Sequence, residues 1–198
     1  MNKKWLIPGI IGAVLLVLLL SIVGGYNGLV GKRESVQKTF ANLQSQYQRR
    51  ADLVPNLVNT VKGAAEFEQS TLTDVTNARA KATSITIDPS KATPEQLAAY
   101  QNAQGELSQA LGRLLAVTEN YPTLQAVQGF RDLQVQLEGT ENRIAVARTD
   151  FNNDAAGYNA DIQKFPTVIT ARLFGFDAFP YFQASEAAQS APTVDFGE

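Results

Sequence analysis

No histidine and no cysteine occurs among the 198 residues. Their absence removes Ser-His and Cys-His nucleophile pairs, thiolate metal sites, c-type haem attachment and disulfides in one step. Metal binding is left to oxygen ligands, which suit only Ca²⁺ or Mg²⁺. Basic charge is not in excess either: 17 Lys+Arg stand against 19 Asp+Glu, for a net charge of −2. Nucleic-acid binders are usually basic, so no nucleic-acid partner is expected. The sequence therefore leads to a non-enzymatic protein, with no catalytic residue, no cofactor and no metal.

What the chain does have is a long uncharged run, WLIPGIIGAVLLVLLLSIV, from Trp5 to Val23. As a helix, its 19 residues would extend about 28 Å, the thickness of a bilayer's hydrocarbon core. Trp5 and Tyr26 flank it where amphipathic aromatics favour headgroups. A cleaved signal peptide is the rival reading, with Lys3 and Lys4 as its charged start and Val23-Gly24-Gly25 as the cleavage site. The apolar stretch exceeds the usual signal core of roughly 7–15 residues, which favours an uncleaved anchor in the bilayer. Lysines and arginines near the two ends number two against three, so the count gives no orientation. Lys3 and Lys4, the charges nearest the membrane, place the N-terminus in the cytoplasm and the body outside.

Beyond residue 26 the apolar pattern is helical. Val36, Phe40, Leu43, Tyr47, Val54, Leu57 and Val61 form one stripe, and its phase survives Pro55, which predicts a kink. Leu72, Val75, Ala78 and Ala82 form a second stripe, set off by a bend around Gly63 and Glu66-Phe67-Glu68. Asp88-Pro89-Ser90 reads as a turn. Thr93-Pro94-Glu95-Gln96 reads as a helix start with a capping box, followed by Leu97, Tyr100, Leu107, Leu111 and Leu114. Tyr121-Pro122 breaks that helix. The last stripe runs Phe130, Leu133, Leu137, Ile144, Ala147, Phe151, Ala155, Tyr158, Ile162 and Phe165, and ends at Pro166. The expected fold is all-α: an antiparallel helical bundle of about four long helices, preceded by one transmembrane helix. Its parts are an anchor over 1–25, a bundle over 26–166 and an aromatic tail over 167–198. The chain's 16 Phe and Tyr residues concentrate at its end, with seven of them from residue 165 onward. A tail so aromatic is expected to fold back on the bundle; the alternative is a docking surface.

Several polar residues fall on or beside the stripes. Arg50 lies between Tyr47 and Val54, Arg79 follows Val75 by four, and Glu141 and Arg148 alternate with Leu137, Ile144 and Phe151. A charge on a packed face must be paired. Glu141 is therefore expected to meet Arg50 or Arg79, shielded from water. The carbonyl freed by Pro55 would take a bond from Asn56 or Asn142.

The segment Arg49-Arg50-Ala51-Asp52-Leu53-Val54-Pro55-Asn56-Leu57-Val58, with Val61-Lys62-Gly63, resembles the LemA family. So does the block LQVQLEGTENRIAVARTDFNNDAAGYNADIQKFP, and the resemblance extends from Tyr26 to Phe182. It implies a bacterial protein with one N-terminal membrane helix, a helical-bundle body and no established enzymatic activity. The shared polar residues Arg50, Asp52, Asn56, Glu141, Asn142 and Arg148, together with Arg79, make up the expected polar network. The chain departs from the family pattern at Phe67-Glu68, where relatives carry His-Glu, and at Val127 and Gly129, where they carry asparagines. A metal role for that histidine has no counterpart here. Together these readings give a scaffold or adaptor anchored in the bacterial inner membrane, with a membrane protein or a second copy as partner. The alternative is lipid binding or shaping through the basic first helix and the aromatic tail.

Overall fold

The computed structural model describes residues 6–63 and 68–183. Trp5, Lys3, Lys4, Glu66, Phe67 and Phe196, used above, lie outside the described residues. Among the described residues there are six α-helices and no strand: α1 Leu6–Lys62, α2 Gln69–Ser84, α3 Pro94–Thr118, α4 Pro122–Gln125, α5 Gln128–Asp161 and α6 Thr167–Phe174.

The apolar run and the first amphipathic stripe are not two helices. They form one, 57 residues long and so about 85 Å from end to end. Gly24, Gly25, Gly28 and Gly31 sit within it, each a loss of roughly 1 kcal/mol against alanine, and none ends it. From Ile7 to Val23 nearly every side chain is exposed, with Ile7 at 68% and Val17 at 62%. At Leu29, which is 1% exposed, the helix enters the body.

Local signals set the remaining boundaries. Thr93 Oγ1 accepts from the Gln96 N–H at 3.2 Å while Gln96 Oε1 accepts from the Thr93 N–H at 3.0 Å, with Pro94 in the first turn. The loop before it is turned by Asp88, whose Oδ1 accepts from the Ser90 N–H at 3.0 Å. Gly175 ends α6 with φ of +68°, a left-handed conformation that only glycine adopts freely. One expectation fails at the end of α5. The helix stops at Asp161, and Phe165, in phase with the stripe, is 82% exposed.

Helices α1 and α5 run antiparallel. Rising positions on α1 meet falling positions on α5: Lys32 bonds Asp161, Ser35 Oγ donates to Asp154 at 2.8 Å, and Arg50 meets Glu141. Helices α2 and α3 form a second antiparallel pair, bridged by Lys81 and Glu106 at 2.6 Å. The buried side chains divide into two apolar clusters. One joins Leu29 to Tyr47 of α1 with the start of α3, the C-terminal half of α5, and Phe176, Phe179 and Phe182. The other joins Val54 to Val61 with α2, the later part of α3, Leu124, Phe130 and Leu137. Between them, at the level of residue 50, lies a polar layer.

Helix α1 continues through Pro55. Proline has no N–H, so the carbonyl of Ala51, four residues earlier, lacks its helical donor. Arg79 of α2 supplies one, from Nε at 2.8 Å. The donor is thus neither Asn56 nor Asn142, because both are exposed on other faces of their helices. Arg79→Met should lose about 1–2 kcal/mol in urea unfolding, the worth of a charged hydrogen bond. Pro55→Ala, which restores the helical donor, should make the same change nearly silent. An equal loss in both backgrounds would contradict this pairing.

Candidate functional site

Arg50 is the largest buried polar residue, 1% exposed. Its position is fixed by α1, where it sits one turn after Tyr47 and one before Val54. Three side chains from two other helices converge on its guanidinium. Nη1 donates to Glu141 Oε1 of α5 at 2.8 Å and to Ser108 Oγ of α3 at 2.5 Å. Nη2 donates to Gln104 at both its carbonyl, 3.1 Å, and its Oε1, 2.6 Å. Gln104 in turn donates to the Ala82 carbonyl at the end of α2, 3.0 Å away. The guanidinium also lies 5.3 Å from the Tyr47 ring centroid, within cation–π range. One charge thereby ties four helices together at a single level. Gln104 and Ser108 are not in the expected network: as polar residues on an amphipathic helix they look solvent-facing, and their partner lies 54 and 58 positions away.

The pair opens onto a cleft of about 980 Å³ between α3 and α5, lined by Arg50, Gln101, Ser108, Glu141, Arg148 and Tyr181 among others. Glu141 is therefore not shielded as expected; its side chain is 41% exposed. Arg148 is half-buried on the cleft wall, with no ion-pair partner among the described residues. Asp52, Asn56 and Asn142 do not join the layer. Asp52 accepts from Gln48 at 2.7 Å on the surface, and Asn56 and Asn142 are exposed. Asp52 is two residues past Arg50, which carries it about 200° round the helix.

A second polar feature has no counterpart in the expected network. Beyond Gly175 the chain is extended, and three side-chain amides each grip the N–H and carbonyl of one of its residues. Asn159 donates to the Phe179 carbonyl at 2.8 Å and accepts from its N–H at 2.9 Å. Asn152 does the same at Phe182, 2.9 and 3.0 Å, and Gln101 at Gln183, 2.7 and 3.1 Å. The amides replace the ladder an edge strand would offer. At two of these grips the side chains of Phe179 and Phe182 insert into the body, each 4% exposed. The segment also walls one end of the cleft, through Pro180, Tyr181 and Gln183.

Burial around this core shows in the phenols. Tyr47 is held above its ordinary value of 10.0 by desolvation, against the opposing pull of Arg50 and Arg148. Burial pushes Tyr100 and Tyr158 up as well. The folded state thus binds these protons more tightly than the unfolded chain. Their stabilisation is complete below about pH 10 and is lost as pH climbs beyond it. In an alkaline titration, phenolate absorbance from these residues should rise together with loss of helix. Ionisation at pH 10 with full helicity would contradict their burial.

The sequence model of the LemA family matches residues 39–196. Magnetosome protein MamQ 2 of Paramagnetospirillum magneticum is 30% identical over 210 residues, covering 92% of this chain and 76% of that protein. Magnetosome protein MamQ of Magnetospirillum gryphiswaldense is 29% identical, covering 89% and 71%. Protein LemA of Metamycoplasma hominis is 26% identical, covering 83% and 71%.

Proposed function

The chain belongs to the LemA family, and on that premise we propose that it is a membrane-anchored, non-enzymatic scaffold or adaptor of the bacterial cell envelope. We read its parts as an anchor over 1–25, a four-helix bundle over 26–166 and a C-terminal segment from 167 that straps onto it. One observation carries this reading: the exposed apolar wall from Ile7 to Val23 and the buried stripe from Leu29 to Val61 belong to a single helix. Apolar exposure on that scale needs lipid or protein to cover it. Relatives named for the magnetosome and one named only for the family align over most of this chain, which supports an adaptor body not tied to one organelle.

The cleft favours recognition over reaction. Glu141 and Ser108 are both engaged by Arg50, while Arg148 remains available to a carboxylate on a partner. We assign the cleft to a membrane-protein partner or a second copy. Lipid binding through Phe176, Phe179 and Phe182 of the aromatic tail finds less support, since these rings are turned into the body.

The chain should stay in the membrane through high-salt and carbonate washing, because an apolar span is not an electrostatic attachment. Release into the wash, or a mature N-terminus near Tyr26, would overturn the anchor. Ser90→Cys should react with an impermeant maleimide from outside intact spheroplasts; labelling only after lysis would reverse the orientation. Metal- or substrate-dependent turnover by the purified protein would overturn the non-enzymatic reading.

A further inference from the structure

Helix α6 has its apolar residues on the wrong side for a soluble body. Its inner face is small, with Thr170 and Ala171 at 2% and 3% exposure against α1. Its outer face carries Ile169 at 48% and Leu173 at 65%; Phe174, at 51%, borders it on the α1 side, and Phe165, two residues before the helix, is 82% exposed. Residues 169 and 173 are spaced by four, so they share a side of the helix.

Where this face sits gives it meaning. Thr170 Oγ1 lies 3.1 Å from the point a Cβ on Gly25 would occupy, so α6 approaches α1 closely there and a side chain at 25 would press on Thr170. The Phe174 ring meets Tyr26 edge-on, centroids 4.9 Å apart. Gly25 and Tyr26 follow Val23, the end of the apolar run, within three residues. Thr170 and Phe174 are one turn apart, about 6 Å along α6, yet they touch α1 residues only about 1.5 Å apart along its axis. Helix α6 therefore crosses α1 steeply. With α1 through the bilayer, α6 lies close to the membrane plane, at the level where the span emerges.

We propose that α6 is a second, in-plane membrane contact, its Ile169 and Leu173 face, with the exposed Phe165 just before it, seated at the boundary between headgroups and acyl chains. This rests on the anchored reading above. Lipid is the occupant because the patch continues the exposed wall of α1, through Val23 at 51% and Tyr26 at 39%. Apolar burial drives the contact, because the surrounding charges nearly balance: Lys32, Arg33, Lys164 and Arg172 against Glu34, Asp161 and Asp177. Arg172, exposed beside Leu173, can extend its guanidinium to a phosphate while its stem covers lipid. Gly175 then turns the chain away from the surface, sending Phe176, Phe179 and Phe182 into the body. Such a contact fixes the rotation of the body about α1, which a single span leaves free.

The natural absence of cysteine allows single-site labelling of the full chain. An environment-sensitive fluorophore would be placed at Leu173→Cys, at Leu15→Cys in the span and at Val146→Cys, 61% exposed on the body. The protein is reconstituted in phosphatidylethanolamine–phosphatidylglycerol vesicles with lipids spin-labelled near the headgroup to report on 173 and 146, and in parallel with lipids spin-labelled deep in the acyl chain to report on 15. Emission at 173 should be blue-shifted and lose roughly threefold more intensity to the quencher than at 146. Quenching at 15 with 173 behaving like 146 would overturn the in-plane contact and leave the anchor intact. No quenching at 15 would remove the anchor and the contact together. A blue shift at 173 without lipid quenching would show a second copy covering the face, and would also overturn the proposal.

Discussion

Glu141→Ala should destabilise the body by about 3 kcal/mol, read as a lower urea midpoint at unchanged slope. Among the described residues the carboxylate is the only charge that compensates Arg50, which is 1% exposed. Removing it leaves a buried guanidinium with Ser108 and Gln104 as its remaining acceptors. Breaking a buried pair this way typically loses roughly 3–5 kcal/mol. The lower end applies because Glu141 is itself 41% exposed, and water from the cleft can approach Nη1. Replacing the pair together separates the charge from the shape. In an Arg50→Met background, Glu141→Ala should be close to neutral, giving a coupling energy near the full single-mutant loss. Independent, additive losses would show that Arg50 does not depend on this carboxylate.

Leu57→Asp should be the most damaging single change, above about 4 kcal/mol, and should leave little helix in the body at room temperature. Leu57 is 0% exposed, inside the cluster formed with α2 and α3, and no described cation is bonded there to receive a carboxylate. Ile144→Asp looks equivalent by periodicity and is not. Ile144, at 6%, lines the cleft beside Glu141 and Arg148, so a carboxylate there meets water and a guanidinium. It should be clearly milder, by roughly half. Comparable midpoints for the two variants would contradict the placement of the cleft.

These two leucine and isoleucine positions show what periodicity does and does not tell. A helical stripe locates the inward face, and every stripe residue named from Val36 to Val61 is buried. The cap at Thr93 was equally legible, because its partners lie within three residues. Non-local geometry was not. No local pattern says that Ser108 and Gln104 complete Arg50, or that Arg79 answers the carbonyl that Pro55 leaves open. Asn152 and Asn159 each directly follow a stripe aromatic, Phe151 and Tyr158, and that adjacency was the one available signal for the amide grips on the C-terminal segment. Gly24-Gly25 resembles a break in sequence, yet the helix continues, since two glycines lose only about 2 kcal/mol of propensity. Phe165 keeps the phase of α5 but falls beyond its end, where phase no longer governs direction.

One unbroken helix, α1, runs from the exposed apolar stretch into the core of the body. Spin labels at Val17→Cys and Ala41→Cys, both on exposed positions of α1, test it directly in lipid bilayers by double electron–electron resonance. A continuous helix predicts a narrow distance distribution centred at about 36 Å. A broad or much shorter distribution would place a hinge at Gly24-Gly25, and a mature chain lacking position 17 would remove the anchor altogether.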